Sequence, residues 1–218
     1  MKYALILLFF ITVNVLSQTT DPKSAYVSLI GGGTITALED FDKVYSSKFG
    51  ISYGAGLGFP LTTKLFLYGK ATYFSKSGVP VIVTMNYDTT SHSWIKSNER
   101  KDGTASYTQW FFNAGLSYKY EISEEFNISI VGGVTFTKIK QEENSSSGTV
   151  GFSAIGSGYL GYFGGIGVEK RFIDSPFSIA AEIQQNMSRK DILNLLGDYG
   201  ATNINIGVRY YFKDRRDQ

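Results

Sequence analysis

The single histidine, His92, stands in the run Ser91-His92-Ser93-Trp94, the one place where acid–base chemistry could begin. Asp88, Ser91, Ser93 and Glu99 lie near it in sequence and supply hydroxyl and carboxylate partners. A nucleophile, however, needs its base at ~2.6–3.2 Å on a rigid support, and this run falls at the tip of the longest connection in the chain. It is read as an exposed loop, and no catalytic residue is assigned. Glu39, Asp40 and Asp42 bring carboxylates together but lack the D-x-D-x-D-G spacing of a calcium loop, so no metal ligand is assigned. The glycine runs at 31–33 and 164–167 do not open a helix after a strand. That excludes a phosphate cradle, leaves close packing as their role, and leaves no cofactor to hold. The absence of cysteine removes thiol chemistry and any disulfide scaffold.

Four further charges, Lys70, Glu169, Glu182 and Arg209, acquire meaning only through the elements that carry them. The organising stretch is 201–212, where Ile204, Ile206, Val208, Tyr210 and Phe212 alternate with Asn203, Asn205, Gly207, Arg209 and Tyr211. That is a period-two strand with an apolar and a polar face. It ends in aromatic residues, which suit a membrane–water interface. In residues 49–59, Phe49, Ile51, Tyr53, Ala55, Leu57 and Phe59 alternate with four glycines and Ser52, so one face is apolar and the other nearly bare.

The same alternation predicts strands near 25–34, 65–74, 106–120, 126–138, 156–172 and 177–187, eight in all with those at 49–59 and 201–212. The facing of the first is ambiguous, because Val27 and Leu29 compete with Tyr26 and Ile30. Residues 79–87 are read as a continuation of the third strand, with Pro80 at an edge or bulge. Residues 35–46 are a loop with one helical turn, and 141–148 are a solvated loop. In 188–200, Ser188 and Asp191 resemble a capping box ahead of Ile192, Leu193, Leu195 and Leu196, which predicts one or two helical turns.

Connections at 60–64, 121–125 and 174–176 are short, and the four that alternate with them are long. Short turns on one side and long loops on the other are a barrel signature, and they put both chain ends on the short-turn side. By parity Lys70, Glu169, Glu182 and Arg209 then point into the barrel. Arg209 is expected to join Glu169 and Glu182 in one buried cluster with Lys70 nearby, because two unscreened carboxylates would repel each other. Eight strands leave an interior just wide enough for side chains, so these charges fill the bore and line no pore.

The N-terminus carries Lys2, an apolar run over residues 4–13, and Ser17 before an expected cleavage. That reads as a signal peptide over 1–17, too short for a spanning helix of ~20 residues, followed by one barrel domain over 18–218. The net charge of +2 is small and dispersed, which argues against nucleic acid as a partner. The chain has 24 Gly, 15 Tyr and 16 Phe but only 18% charged residues, against about 25% in soluble domains.

The leader, the eight alternating strands and the terminal run 204–212 together resemble the small outer-membrane β-barrel superfamily, the OmpA/OmpX-like barrels of Gram-negative bacteria. The resemblance spans nearly the whole mature chain and rests on pattern, with no fixed motif. It implies an all-β, eight-stranded antiparallel up-and-down transmembrane barrel in the cell outer membrane, with both termini periplasmic. It also implies outer-membrane lipids as neighbours and the outer-membrane insertion machinery as a partner during assembly. Members include adhesins, secretion accessories and lipid-modifying enzymes. The expected function is non-enzymatic: envelope support, or binding of a surface ligand by the external loops. One alternative is an outer-leaflet hydrolase or acyltransferase acting on lipid A. The other is a secreted lipocalin-like carrier with the facing reversed and an apolar ligand inside.

Overall fold

Residues that alternate in the sequence alternate in space. The computed structural model describes residues 24–39, 41–88, 93–100, 102–145, 153–155, 158–192 and 195–212. The leader, Asp40, Ser91 and His92 lie outside them. The strands are β1 (Tyr26–Thr36), β2 (Phe49–Pro60), β3 (Leu65–Gly78), β4 (Val81–Asp88), β5 (Ser93–Arg100), β6 (Gly103–Glu121), β7 (Phe126–Ser145), β8 (Ser153–Ile155), β9 (Tyr159–Arg171), β10 (Phe177–Ile192), β11 (Leu195–Asp198) and β12 (Ala201–Tyr211). One short helix, α1 (Phe41–Tyr45), follows β1, as predicted for that loop.

Eight of these strands close a ring of antiparallel neighbours in the order β1-β2-β3-β6-β7-β9-β10-β12, and β12 returns to β1. Closure comes from the strand that anchors the sequence pattern: Arg209 opposes Ser28 on one side and Ser178 on the other. Closing the sheet leaves no edge in the ring.

The facing is that of a membrane barrel. Leu29, Ile51 and Leu160 are about three-quarters exposed, at 74%, 76% and 76%, and Ile130, Ile166 and Ile206 also stand outside. An apolar surface of this extent marks a membrane-facing wall. Along β7 the outward apolar run lasts from Phe126 to Phe136 and then gives way to Lys138, Lys140 and Glu142. Ten residue steps at ~3.4 Å, tilted about 40°, give a band roughly 26 Å tall. Tyr73, Trp110, Phe112 and Phe136 form a chain of ring contacts at one margin. Phe177, Tyr210 and Phe212 do so at the other. In β1 the ambiguity resolves with Val27 and Leu29 outward and Tyr26 inward. Polar residues fill the interior, which contradicts the soluble-carrier alternative and its apolar lumen.

Glycines let the wall bend. Gly115 and Gly133 oppose each other across β6 and β7. A Cβ on Gly115 would sit 2.1 Å from the Gly132 carbonyl oxygen, and one on Gly133 would sit 2.3 Å from that of Ala114. No side chain fits at that approach.

Three expectations at the long-loop end need correction. The described residues of 188–200 are not helical: β10 runs on to Ile192, and β11 folds back on it with Arg189 opposite Asp198, while Leu193 lies outside the described residues. The ladder begun in the barrel extends at no nucleation cost, whereas a new helix must pay for its first turn. Residues 81–88 do not continue β3. That strand stops at Gly78, Pro80 cannot donate to a ladder, and the Val79 amide turns back to the Val44 carbonyl at 3.0 Å. β4 pairs with β5 as a separate hairpin, so the long connection does add one. Finally, 141–145 are not a free loop, because β7 stays in register with β6 out to Ser145 opposite Gly103.

Candidate functional site

Inward parity on six strands brings a two-storey ionic network into the half of the barrel nearer the short turns. Glu169 on β9 is the lower centre. It accepts hydrogen bonds from Arg209 Nη1 on β12 at 2.8 Å, Lys119 Nζ on β6 at 3.0 Å and Ser178 Oγ on β10 at 2.6 Å, with the Tyr211 hydroxyl as a fourth donor. Lys119 Nζ also donates to the Tyr211 hydroxyl at 2.6 Å and stands 4.5 Å from the centre of the Tyr26 ring. Arg209 lies over the same Tyr26 ring at 4.8 Å. Aromatic faces thus shield the cations on the sides where no carboxylate reaches.

The upper storey centres on Glu182 of β10. Lys70 Nζ on β3 reaches its Oε1 at 2.5 Å, and the Tyr68 hydroxyl donates to both of its oxygens at 3.1 and 3.2 Å. Lys70 also donates to Gln184 Oε1 at 2.7 Å. All five charged groups are at least nine-tenths buried. Their mutual pairing is what makes that burial tolerable. A hollow of about 20 Å³ beside Lys70 and Arg209 has room for roughly one water molecule.

Above the charges the bore is polar and uncharged, with Ser52, Thr72, Asn113, Thr135 and Asn186 buried, and with Thr137 bonded to Ser188 at 2.8 Å. At the long-loop end an aromatic stopper follows. Helix α1 lowers Phe41 and Tyr45 onto Phe74, Tyr107 and Ile139, with Phe41 set edge-on to Tyr107 at 4.9 Å. The bore is filled from one margin of the membrane band to the other. Both oxygens of Glu169 are engaged by four donors, so it acts as a counter-ion and not as a general base.

Lys70, Glu169, Glu182 and Arg209 all face inward as the sequence predicts, but the grouping is different. Arg209 serves Glu169, and Lys70 holds Glu182. Glu169 lies opposite Ala180 and Glu182 opposite Gly167, so the carboxylates are diagonal and not level. Arg209 sits four residues, and not two, below the partner position of Glu182 on β12, which is Asn205. Lys119 and Tyr211 complete the lower storey; the sequence shows their inward parity but not their partners. Asn127 and Asn186, each the first residue of an Asn-x-Ser triplet, are buried in the bore. Asp88, Ser93 and Glu99 lie in the β4–β5 hairpin, with Asp88 opposite Ser93 at its tip.

With this geometry in place the class can be stated: the fold is that of the small outer-membrane β-barrels. Neisserial surface protein A is similar at a TM-score of 0.54 and 11% identity, over 88% of this chain and 100% of that one. Ail, the attachment invasion locus protein of Yersinia pestis, is similar at TM-scores of 0.50 and 0.52 in two structures, again with 11% identity and the same coverage. At such identity the likeness is one of fold. No protein-family model and no curated protein matches the chain.

Proposed function

We propose that this chain is a non-enzymatic outer-membrane barrel that acts from its long-loop end, with the short turns and both termini facing the periplasm. The observation that carries this reading is the contrast between a filled bore and an overgrown rim. A barrel strand needs ~9–11 residues to cross the membrane. β6 and β7 have 19 and 20, and beyond the same margin stand the β4–β5 hairpin, β8 and β11. A wall built so far past the bilayer has its working surface there, presented to a surface ligand or to neighbouring envelope components. Assembly by the outer-membrane insertion machinery belongs to the same reading.

Since the chain contains no cysteine, single substitutions report orientation cleanly. On intact cells a membrane-impermeant maleimide should label Ser97→Cys in β5 and spare Ser123→Cys in the turn before β7. The reverse pattern would invert the barrel and place the working surface in the periplasm. A change in lipid A mass on expressing the protein, lost in His92→Ala, would favour the lipid-modifying alternative instead.

A further inference from the structure

The short-turn mouth holds a cation that the ionic network does not use. Arg171 ends β9 on the inward parity of Glu169. Its guanidinium lies over the Tyr211 ring at 4.5 Å, and its Nε and Nη2 have no hydrogen-bond partner although both are buried. Unpaired buried donors are costly to keep, and a charged group more so. Next to it three buried cations, Lys70, Lys119 and Arg209, meet only two buried carboxylates, Glu169 and Glu182, among the described residues. Both buried carboxylates are taken up by these three cations, and other carboxylates at this end, Glu124, Glu125 and Asp174, stand on its rim. The two unpaired donors of Arg171 leave room for an acceptor from outside the chain.

The shape of the mouth narrows the choice. A hollow of about 320 Å³ opens beside Arg171, and Glu124, Glu125, Ile173 and Phe177 are among the residues that line it. That size is in the range of ligand pockets. Glu125 is held only loosely, with Lys170 Nζ at 4.0 Å, so its carboxylate is free to meet an ammonium group. Ile173 is 68% exposed and Phe177 47%, at the level where the membrane band ends. Phe177 also borders a shallow apolar trough on the outer wall, floored by Ala55, Gly69 and Ala71. A free phosphate would use Arg171 alone, and a lipid with net negative charge would meet the two glutamates.

We propose that the short-turn mouth binds the head group of a zwitterionic phospholipid of the phosphatidylethanolamine type. The phosphate sits on Arg171, the ammonium faces Glu124 and Glu125, and the acyl chains pass Ile173 and Phe177 toward the trough. The site is independent of whatever the long-loop end binds and requires only that the barrel be in a bilayer. If the short turns face the periplasm, the lipid belongs to the inner leaflet.

Native mass spectrometry of the refolded full chain tests this, with phosphatidylethanolamine and phosphatidylglycerol of matched acyl chains as probes, and inorganic phosphate as competitor. One phosphatidylethanolamine should be retained per barrel in preference to phosphatidylglycerol, undisturbed by inorganic phosphate. Arg171→Gln should reduce that retention about tenfold. The double variant Glu124→Gln/Glu125→Gln should turn the preference toward phosphatidylglycerol. Heat-modifiable migration in gels checks that each variant is folded. Should Arg171→Gln not fold, the double variant and Arg171→Lys, which keeps the charge without the fork, carry the test. Equal retention of the two lipids by the unaltered chain would overturn the proposal. So would loss of lipid to inorganic phosphate, or unchanged retention in Arg171→Gln.

Discussion

Arg209 and Lys119 share one carboxylate, and their roles differ in a way that stability can report. Removing Arg209 leaves Glu169 with one cation and also strips the Tyr26 ring of its guanidinium. Arg209→Ala should therefore cost about 3–5 kcal/mol in a folding titration from micelles, by analogy with broken buried pairs. Lys138→Ala, on the exposed face of β7, should stay within about 0.5 kcal/mol of the unaltered chain. Equal effects would mean that the lower storey contributes nothing specific. Lys119→Met should cost clearly less than Arg209→Met, because it brings the three buried cations into balance with the two carboxylates and leaves the Arg209–Glu169 pair intact. A larger loss for Lys119→Met would contradict the charge count. Parity alone made these inward positions legible. Their partners were not, because pairing depends on register. A shift of two residues between β9 and β10 decides whether Glu169 and Glu182 stand level or diagonal.

Among the elements, β12 is the one the ring cannot do without, since it supplies a full ladder to β1 and another to β10. Deleting 210–218 removes the Tyr210 and Phe212 rings and the Tyr211 hydroxyl at one stroke. The truncated chain should lose heat-modifiable migration and become protease-sensitive, and normal migration would contradict the closing role of this strand. The barrel strands and short turns were readable from the alternation of Phe49, Ile51 and Tyr53 or of Ile204, Ile206 and Val208, because one face had to meet lipid. The long-loop end was less readable. Ile192, Leu193, Leu195 and Leu196 fit helical spacing, but a strand already in register continued past Ser188 and took Ile192, Leu195 and Leu196 into a hairpin. Likewise 141–145 read as solvated because they are polar, yet β6 supplied a ladder that needs no apolar face. Once a strand leaves the membrane, alternation ceases to be the signal that marks it.

For the whole molecule, an apolar exterior and a polar interior leave open whether the barrel is a conduit. The two storeys around Glu169 and Glu182 and the stopper of Phe41, Tyr45, Phe74 and Tyr107 fill it at separate levels. An eight-stranded barrel has little room to spare in any case. On the proposed reading the work belongs to the surface beyond the membrane band, where β6, β7 and the β4–β5 hairpin extend. Conductance across a planar bilayer tests this most directly, with the refolded full chain inserted and its insertion confirmed by protease protection. The expected result is a silent bilayer at all moderate voltages, because no continuous water column crosses the Glu169 and Glu182 levels. Stable, stepwise ionic currents from the inserted chain would contradict a filled bore and, with it, the assignment of function to the outer rim.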